Sequence, residues 1–191
     1  MTLFDIIARP YAWFFHHQVR QAERTVPVLM DALSESCSSV LDIGCGNGAL
    51  CQVLQAHIQT VEGCDRSAAM LKQAKRLTSS TIKYTLGDTL TGLPYADKSF
   101  DMVSASLVAH GMPADQRKLL YAEMRRIARK YVILLEYNQT RHWLVDIMEF
   151  LEHGDYFNFI HVVDQELEAC FGNLTKIPVQ AFAAWYIMKV K

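Results

Sequence analysis

The stretch Val40 to Gly48, Val-Leu-Asp-Ile-Gly-Cys-Gly-Asn-Gly, constrains this chain more than any other. Val40 to Ile43 is apolar apart from Asp42 and rich in β-branched residues, which suits a strand buried on both faces in a parallel sheet. Gly44, Gly46 and Gly48 then end it. Alternating glycines let the chain turn tightly, take positive φ where needed, and bring bare backbone against a ligand that a Cβ would push away. From Ala49 onward Leu50, Val53, Leu54, His57 and Ile58 recur at helical spacing, so the glycines lie between a strand and the positive end of a helix. Such a unit cradles a cofactor.

The glycine spacing is Gly-x-Gly-x-Gly, not the Gly-x-Gly-x-x-Gly that brings a pyrophosphate to a helix N-terminus, so the fit to a dinucleotide is poor. The next apolar run, Thr60 to Cys64, ends at Asp65, about 20 residues beyond the first glycine. At that distance a βαβ unit delivers an acidic side chain to a ribose diol. A ribose-bearing ligand follows.

With these residues in place, VLDIGCGNG, then VEGCDRS, then Leu86-Gly87-Asp88, the chain from Ser39 to Tyr137 resembles the class I S-adenosylmethionine-dependent methyltransferases, of the small-molecule, methyltransferase-11-like type. The resemblance implies an α/β, Rossmann-like three-layer sandwich with a seven-stranded, mostly parallel sheet, an antiparallel last strand and an N-terminal helical cap. It also implies S-adenosylmethionine as cofactor and S-adenosylhomocysteine as product. By position Asp42, Gly44, Cys45, Gly46 and Gly48 would lie against the methionine part and ribose, and Asp65 on the ribose hydroxyls. Arg66 and Met70 would flank ribose and adenine; Asp88 would hold the adenine amino group, with Gly87 beside it in the cofactor site and Thr89 and Leu90 lining the same face. Ala105 and Ser106, ending a fourth strand, would sit under the methionine moiety. A Rossmann-like domain holding another nucleotide, or none, is the alternative reading, and plain core packing is the alternative for Met70.

A length of 191 residues suits one domain with one large core, and 51% hydrophobic against 20% charged residues describes a globular chain. A formal charge of −1 gives no general attraction to phosphate backbones, so nucleic acid is not the expected partner. Five cysteines, Cys37, Cys45, Cys51, Cys64 and Cys170, include no Cys-x-x-Cys pair, which suggests buried reduced thiols and no zinc site. No leader pattern opens the sequence and no apolar run matches a membrane span, so the cytoplasm is the expected compartment.

Along the chain, residues 3 to 34 read as an N-terminal helical cap with breaks at Pro10 and Pro27. Tyr11, Trp13, His16 and His17 would stand near the pocket, with ordinary helix packing as the alternative. Ser67 reads as an N-cap for a helix through Leu77. Ile82 to Leu86 reads as strand three and Met102 to Ser106 as strand four. A helix over 114 to 130 would turn Leu119, Leu120, Met124 and Ile127 inward, its last turns carrying Arg125, Arg126, Arg129 and Lys130 as a solvated basic face. Tyr131 to Leu135 reads as strand five. His110, Glu136, Tyr11 and His16 are the candidates for acid–base work on the acceptor, with hydrogen-bonded structural roles as the alternative for His110 and Glu136. No Asp/Asn-Pro-Pro-Tyr/Phe motif follows strand four, which argues against base amines and glutamine as acceptors. A helix over 141 to 153 and the aromatic loop 154 to 161 read together, over 141–163, as a substrate-recognition insertion. The loop would serve an acceptor pocket, simple packing or a homodimer face. A last helix over 164 to 171 and two closing strands, 174 to 179 and 183 to 190, complete the chain. The methyl acceptor that this reading favours is a small molecule; a cofactor-binding partner subunit and a macromolecular methyltransferase are the competing readings.

Overall fold

A computed structural model of the chain describes residues 14–141, 143, 146 and 154–190. Its seven strands follow the order β3-β2-β1-β4-β5-β7-β6, a mostly parallel sheet closed by an antiparallel strand, as expected. The chain divides into two compact units, Met1–Pro94 and Tyr95–Lys191.

In the first unit, α1 (Phe15–Ala32) precedes β1 (Ser39–Ile43), α2 (Ala49–Leu54), β2 (Thr60–Asp65), α3 (Ala68–Leu77) and β3 (Lys83–Leu86). The three strands pair in parallel, Val40 opposite Val61 and Asp65 opposite Leu86. Helix α1 buries Phe15, Ala22, Val26 and Leu29 and continues through Pro27, where a break was expected. Pro27 is exposed, and Thr25 Oγ1 donates back to the Gln21 carbonyl at 3.2 Å inside the same turn. Residues 3 to 13, with the expected Pro10 break, Tyr11 and Trp13, lie outside the described residues. Ser67 caps α3 as its sequence implies, its Oγ accepting from the Met70 N–H at 3.2 Å.

In the second unit, β4 (Phe100–Ser106) leads through a short 3₁₀ turn at Ala109–Gly111 into α4 (Ala114–Ile127), then β5 (Ala128–Tyr137), α5 (Tyr156–Phe171), β6 (Thr175–Gln180) and β7 (Ala183–Lys189). β4 and β5 are parallel; β7 runs antiparallel to β5 and to β6. Three expectations are corrected. Leu119 is 50% exposed, because the buried stripe of α4 runs through Arg117, Leu120, Tyr121, Met124 and Ile127 at three- and four-residue spacing and leaves 119 to one side. Arg129 and Lys130 belong to β5 rather than to the helix end, and Arg129 Nη1 donates to the buried Asp101 carboxylate at 2.8 Å. The expected aromatic loop is the first half of α5, with Tyr156, Phe159 and Ile160 fully buried and Phe157 36% exposed. Its apolar residues recur at helical spacing and continue into Val163 and Leu167, so one face packs inward over four turns. Most of the helix expected over 141 to 153 lies outside the described residues.

Candidate functional site

The glycine loop connects β1 to α2, and its main chain is fastened at both sides. Gly44 and Cys45 donate their N–H groups to the Cys64 carbonyl at 2.7 and 3.1 Å, and the Gly46 N–H donates to Asp65 Oδ2 at 2.8 Å. Asp65 Oδ1 accepts from the Ser67 N–H at 2.8 Å. One carboxylate at the end of β2 thus braces the loop that ends β1 and the start of α3. Burial pushes the Asp65 carboxyl upward, opposed by the Ser67 and Gly46 N–H groups. Its side chain stays half-buried, and each oxygen keeps acceptor capacity for hydroxyl donors.

The glycines divide their work. Gly46 has φ +53 and a Cβ added there would meet nothing within 4 Å, so its face opens on space a ligand can enter. Gly48, at φ +81, has no such room: a Cβ would run into the Tyr84 hydroxyl and come within 2.9 Å of Thr78 Cγ2. Gly87 is likewise enclosed by Leu93 and Cys64. These two serve packing. Gln18 of α1 reaches the loop, accepting from Asn47 Nδ2 at 2.7 Å, while Asn47 Oδ1 accepts from the Ala49 N–H at 3.2 Å. The sequence reading named neither residue, although Asn47 stood inside the motif.

Asp42 and Met70 are 1% and 2% exposed, and Asp42 Oδ2 accepts from the Cys51 thiol at 3.6 Å. The Cys45 thiol is buried beside Cys51, which leaves its main chain toward the loop face. Arg66 is exposed. Asp88 is half-buried and folds its own turn, Oδ1 accepting from the Leu90 N–H at 3.0 Å, with Thr89 buried beside it. An open, backbone-lined bend, a carboxylate able to accept from a diol, and a second carboxylate at the next strand end fit a nucleoside with a short charged tail. Among the described residues no group of His, Cys, Asp and Glu is arranged to hold a metal ion.

The second unit gathers a different cluster. Glu136 of β5 is fully buried, and its Oε1 accepts from the Val108 and Ala109 N–H groups, both at 2.6 Å. Its Oε2 lies 2.8 Å from His110 Nδ1. An ionised carboxylate only accepts, so Nδ1 is the donor of this bond. The imidazole lies edge-on to Tyr137, ring centres 4.8 Å apart. Ala105, ending β4, is fully buried, and Ser106 is half-buried. Leu107, at φ +54, holds a left-handed backbone that costs a non-glycine residue about 1–2 kcal/mol. Arg117, fully buried, clamps the segment after the histidine. It donates to both oxygens of Glu166 at 2.6 and 2.8 Å, to Asp155 Oδ2 at 2.6 Å and to the Met112 carbonyl at 2.6 Å. Its sequence signal was a cation on the apolar stripe of α4, which demands partners. His16, a candidate near the pocket, is exposed on α1, its carbonyl accepting from Arg20 Nε at 3.2 Å.

The seven-stranded fold is the one that class I S-adenosylmethionine-dependent methyltransferases share. Residues 40–131 match the family described as "Methyltransferase domain". The chain is 34% identical over 125 residues to the 18S rRNA (guanine-N(7))-methyltransferase bud23 of Schizosaccharomyces pombe, covering 59% of this chain and 46% of that protein. It is 33% identical over 98 residues to the malonyl-[acyl-carrier protein] O-methyltransferase of Hamiltonella defensa, covering 51% of this chain and 36% of that protein. The chain therefore spans less than half the length of these curated relatives. In fold it resembles the complex of the Haloferax volcanii Trm112 methyltransferase activator with a methyltransferase, at TM-score 0.70 and 17% identity, over 100% of this chain and 98% of that one. No helix among the described residues is long and apolar enough to cross a membrane.

Proposed function

We propose that this protein transfers the methyl group of S-adenosylmethionine to a small-molecule acceptor in the cytoplasm. The observation carrying the reading is the Gly46 bend, open to a ligand and tied to the half-buried Asp65 carboxylate at the end of β2. Gly44, Gly46 and Asp65 would hold the methionine tail and ribose, and Asp88 the adenine amino group. The bound cofactor supplies a cationic sulfonium whose methyl carbon is already activated for in-line displacement. What the protein then adds is alignment and, for a protic acceptor, a base. His110 takes the acceptor's proton. Glu136 holds the ring through Nδ1, acting as a positioning residue because its own carboxylate is wholly inside.

Calorimetry with S-adenosylhomocysteine tests the cofactor half: binding in the micromolar range supports it, and no binding at several hundred micromolar defeats it. Radiolabelled methyl transfer to a panel of phenols, carboxylic acids, amines and thiols tests the rest. The likeness to the bud23 rRNA methyltransferase and to the complex of a methyltransferase with the Trm112 activator favours a second reading, in which the acceptor is RNA and the protein works with a partner. Methylation of ribosomal RNA, with the small-molecule panel silent, would select it.

A further inference from the structure

Leu107 combines two features that a folded chain ordinarily avoids. Its backbone lies at φ +54, where the Cβ of a non-glycine residue crowds the following carbonyl, and its apolar side chain is 46% exposed. The conformation is fixed from outside the residue. The Leu107 N–H donates to the Leu135 carbonyl at 2.8 Å, and the next two N–H groups, of Val108 and Ala109, both donate to Glu136. Three consecutive amides are thus held by the end of β5, and the turn they impose carries the Leu107 side chain outward while His110, three residues on, stays buried. Lys98 is the other non-glycine residue at φ +54 among those described, and there the exposed side chain is charged and costs nothing in water. Leucine has no such excuse, since neither fold stability nor hydration is served by it. Strain of this kind accumulates where a ligand is gripped.

We infer that Leu107 is a specificity-determining residue of the acceptor site, and that the acceptor carries a hydrocarbon or aromatic part packed against it beside the atom that His110 deprotonates. The inference rests on the methyltransferase reading above and narrows its acceptor to amphipathic molecules with one ionisable nucleophile.

The test uses the full chain saturated with S-adenosylhomocysteine and a series of 4-alkylphenols, from methyl to pentyl, titrated by calorimetry. In the parent, affinity should rise about fourfold per added methylene, the step for transferring one CH₂ out of water. In Leu107→Gly and Leu107→Asn, whose residues accept positive φ readily, the rise per methylene should fall below twofold. Both variants should keep S-adenosylhomocysteine affinity within twofold and melt no lower than the parent. A chain-length slope that survives in the variants, its absence in the loaded parent, or a lowered Tm in both variants would overturn the inference while leaving the cofactor reading intact. Failure of S-adenosylhomocysteine to bind the parent would instead strike the methyltransferase reading itself, and this inference with it.

Discussion

Each unit of the molecule ends a parallel strand with a carboxylate that braces the loop leaving the neighbouring strand, and the two carboxylates have opposite fates. Asp65 takes the Gly46 and Ser67 N–H groups and stays half-exposed; Glu136 takes the Val108 and Ala109 N–H groups and His110, and is sealed. The same device therefore serves two purposes. A brace left open keeps lone pairs for a ligand, whereas a buried one spends its capacity on fixing its neighbours, here two backbone N–H groups and an imidazole.

The comparison breaks most visibly at Glu136. Glu136→Ala orphans the Val108 and Ala109 N–H groups, the latter buried, and a histidine, and should lower unfolding free energy by about 3–5 kcal/mol in urea denaturation; a loss under about 1 kcal/mol would mean the buried brace holds little. Gly48→Ala comes next, at about 2–3 kcal/mol, from positive φ plus the collision with Tyr84. Gly46→Ala, with open space at its Cβ, should cost only about 1 kcal/mol of stability yet sharply weaken S-adenosylhomocysteine binding, so paired melting and calorimetry separate a packing glycine from a ligand-facing one.

Asp65→Asn keeps one acceptor where the carboxylate offers two to the Gly46 and Ser67 N–H groups, so it should cost about 1 kcal/mol of stability and weaken S-adenosylhomocysteine by about 1.4–3 kcal/mol, the range for hydrogen bonds to a charged group. Its pH behaviour sharpens the point. Because burial raises this carboxyl above its ordinary 3.8, the folded protein holds the proton to higher pH than the unfolded chain. Stability from this group is thus greatest in acid and is lost as pH rises from that value through the raised one. Ligand affinity, which needs the charged form, should climb over the same window, and Asp65→Asn should flatten both trends. Smallest is Ser67→Ala, about 1 kcal/mol for a lost N-cap, read by thermal melting.

The cradle was legible in sequence because it is local. Glycine spacing, the strand before it and Asp65 are set by neighbours within one βαβ unit, and the Ser67 cap announces itself three residues ahead of Met70. The second cluster was legible only as a set of names. Glu136 reaches back to Val108 and Arg117 reaches forward to Glu166, contacts that depend on how β5 and α5 return and that no local period records. Reading 154 to 161 as a loop failed because its aromatic density hid a helical repeat continued by Val163 and Leu167. Pro27 misled for the opposite reason, a strong local rule that exposure makes cheap to violate.

The distribution of thiols has a practical consequence. Cys37, Cys45, Cys51 and Cys64 are buried in the first unit; burial raises Cys64 to about 12, and the hydrogen bond with Cys51 together with burial raises Cys45, whereas Cys170 of the second unit, also raised by burial, is half-exposed. An alkylating reagent should mark Cys170 first in the native protein and reach the other four only when their surroundings open. Mass spectrometry of timed alkylation would then act as a stopwatch for breathing of the cradle, and a bound nucleoside should slow it.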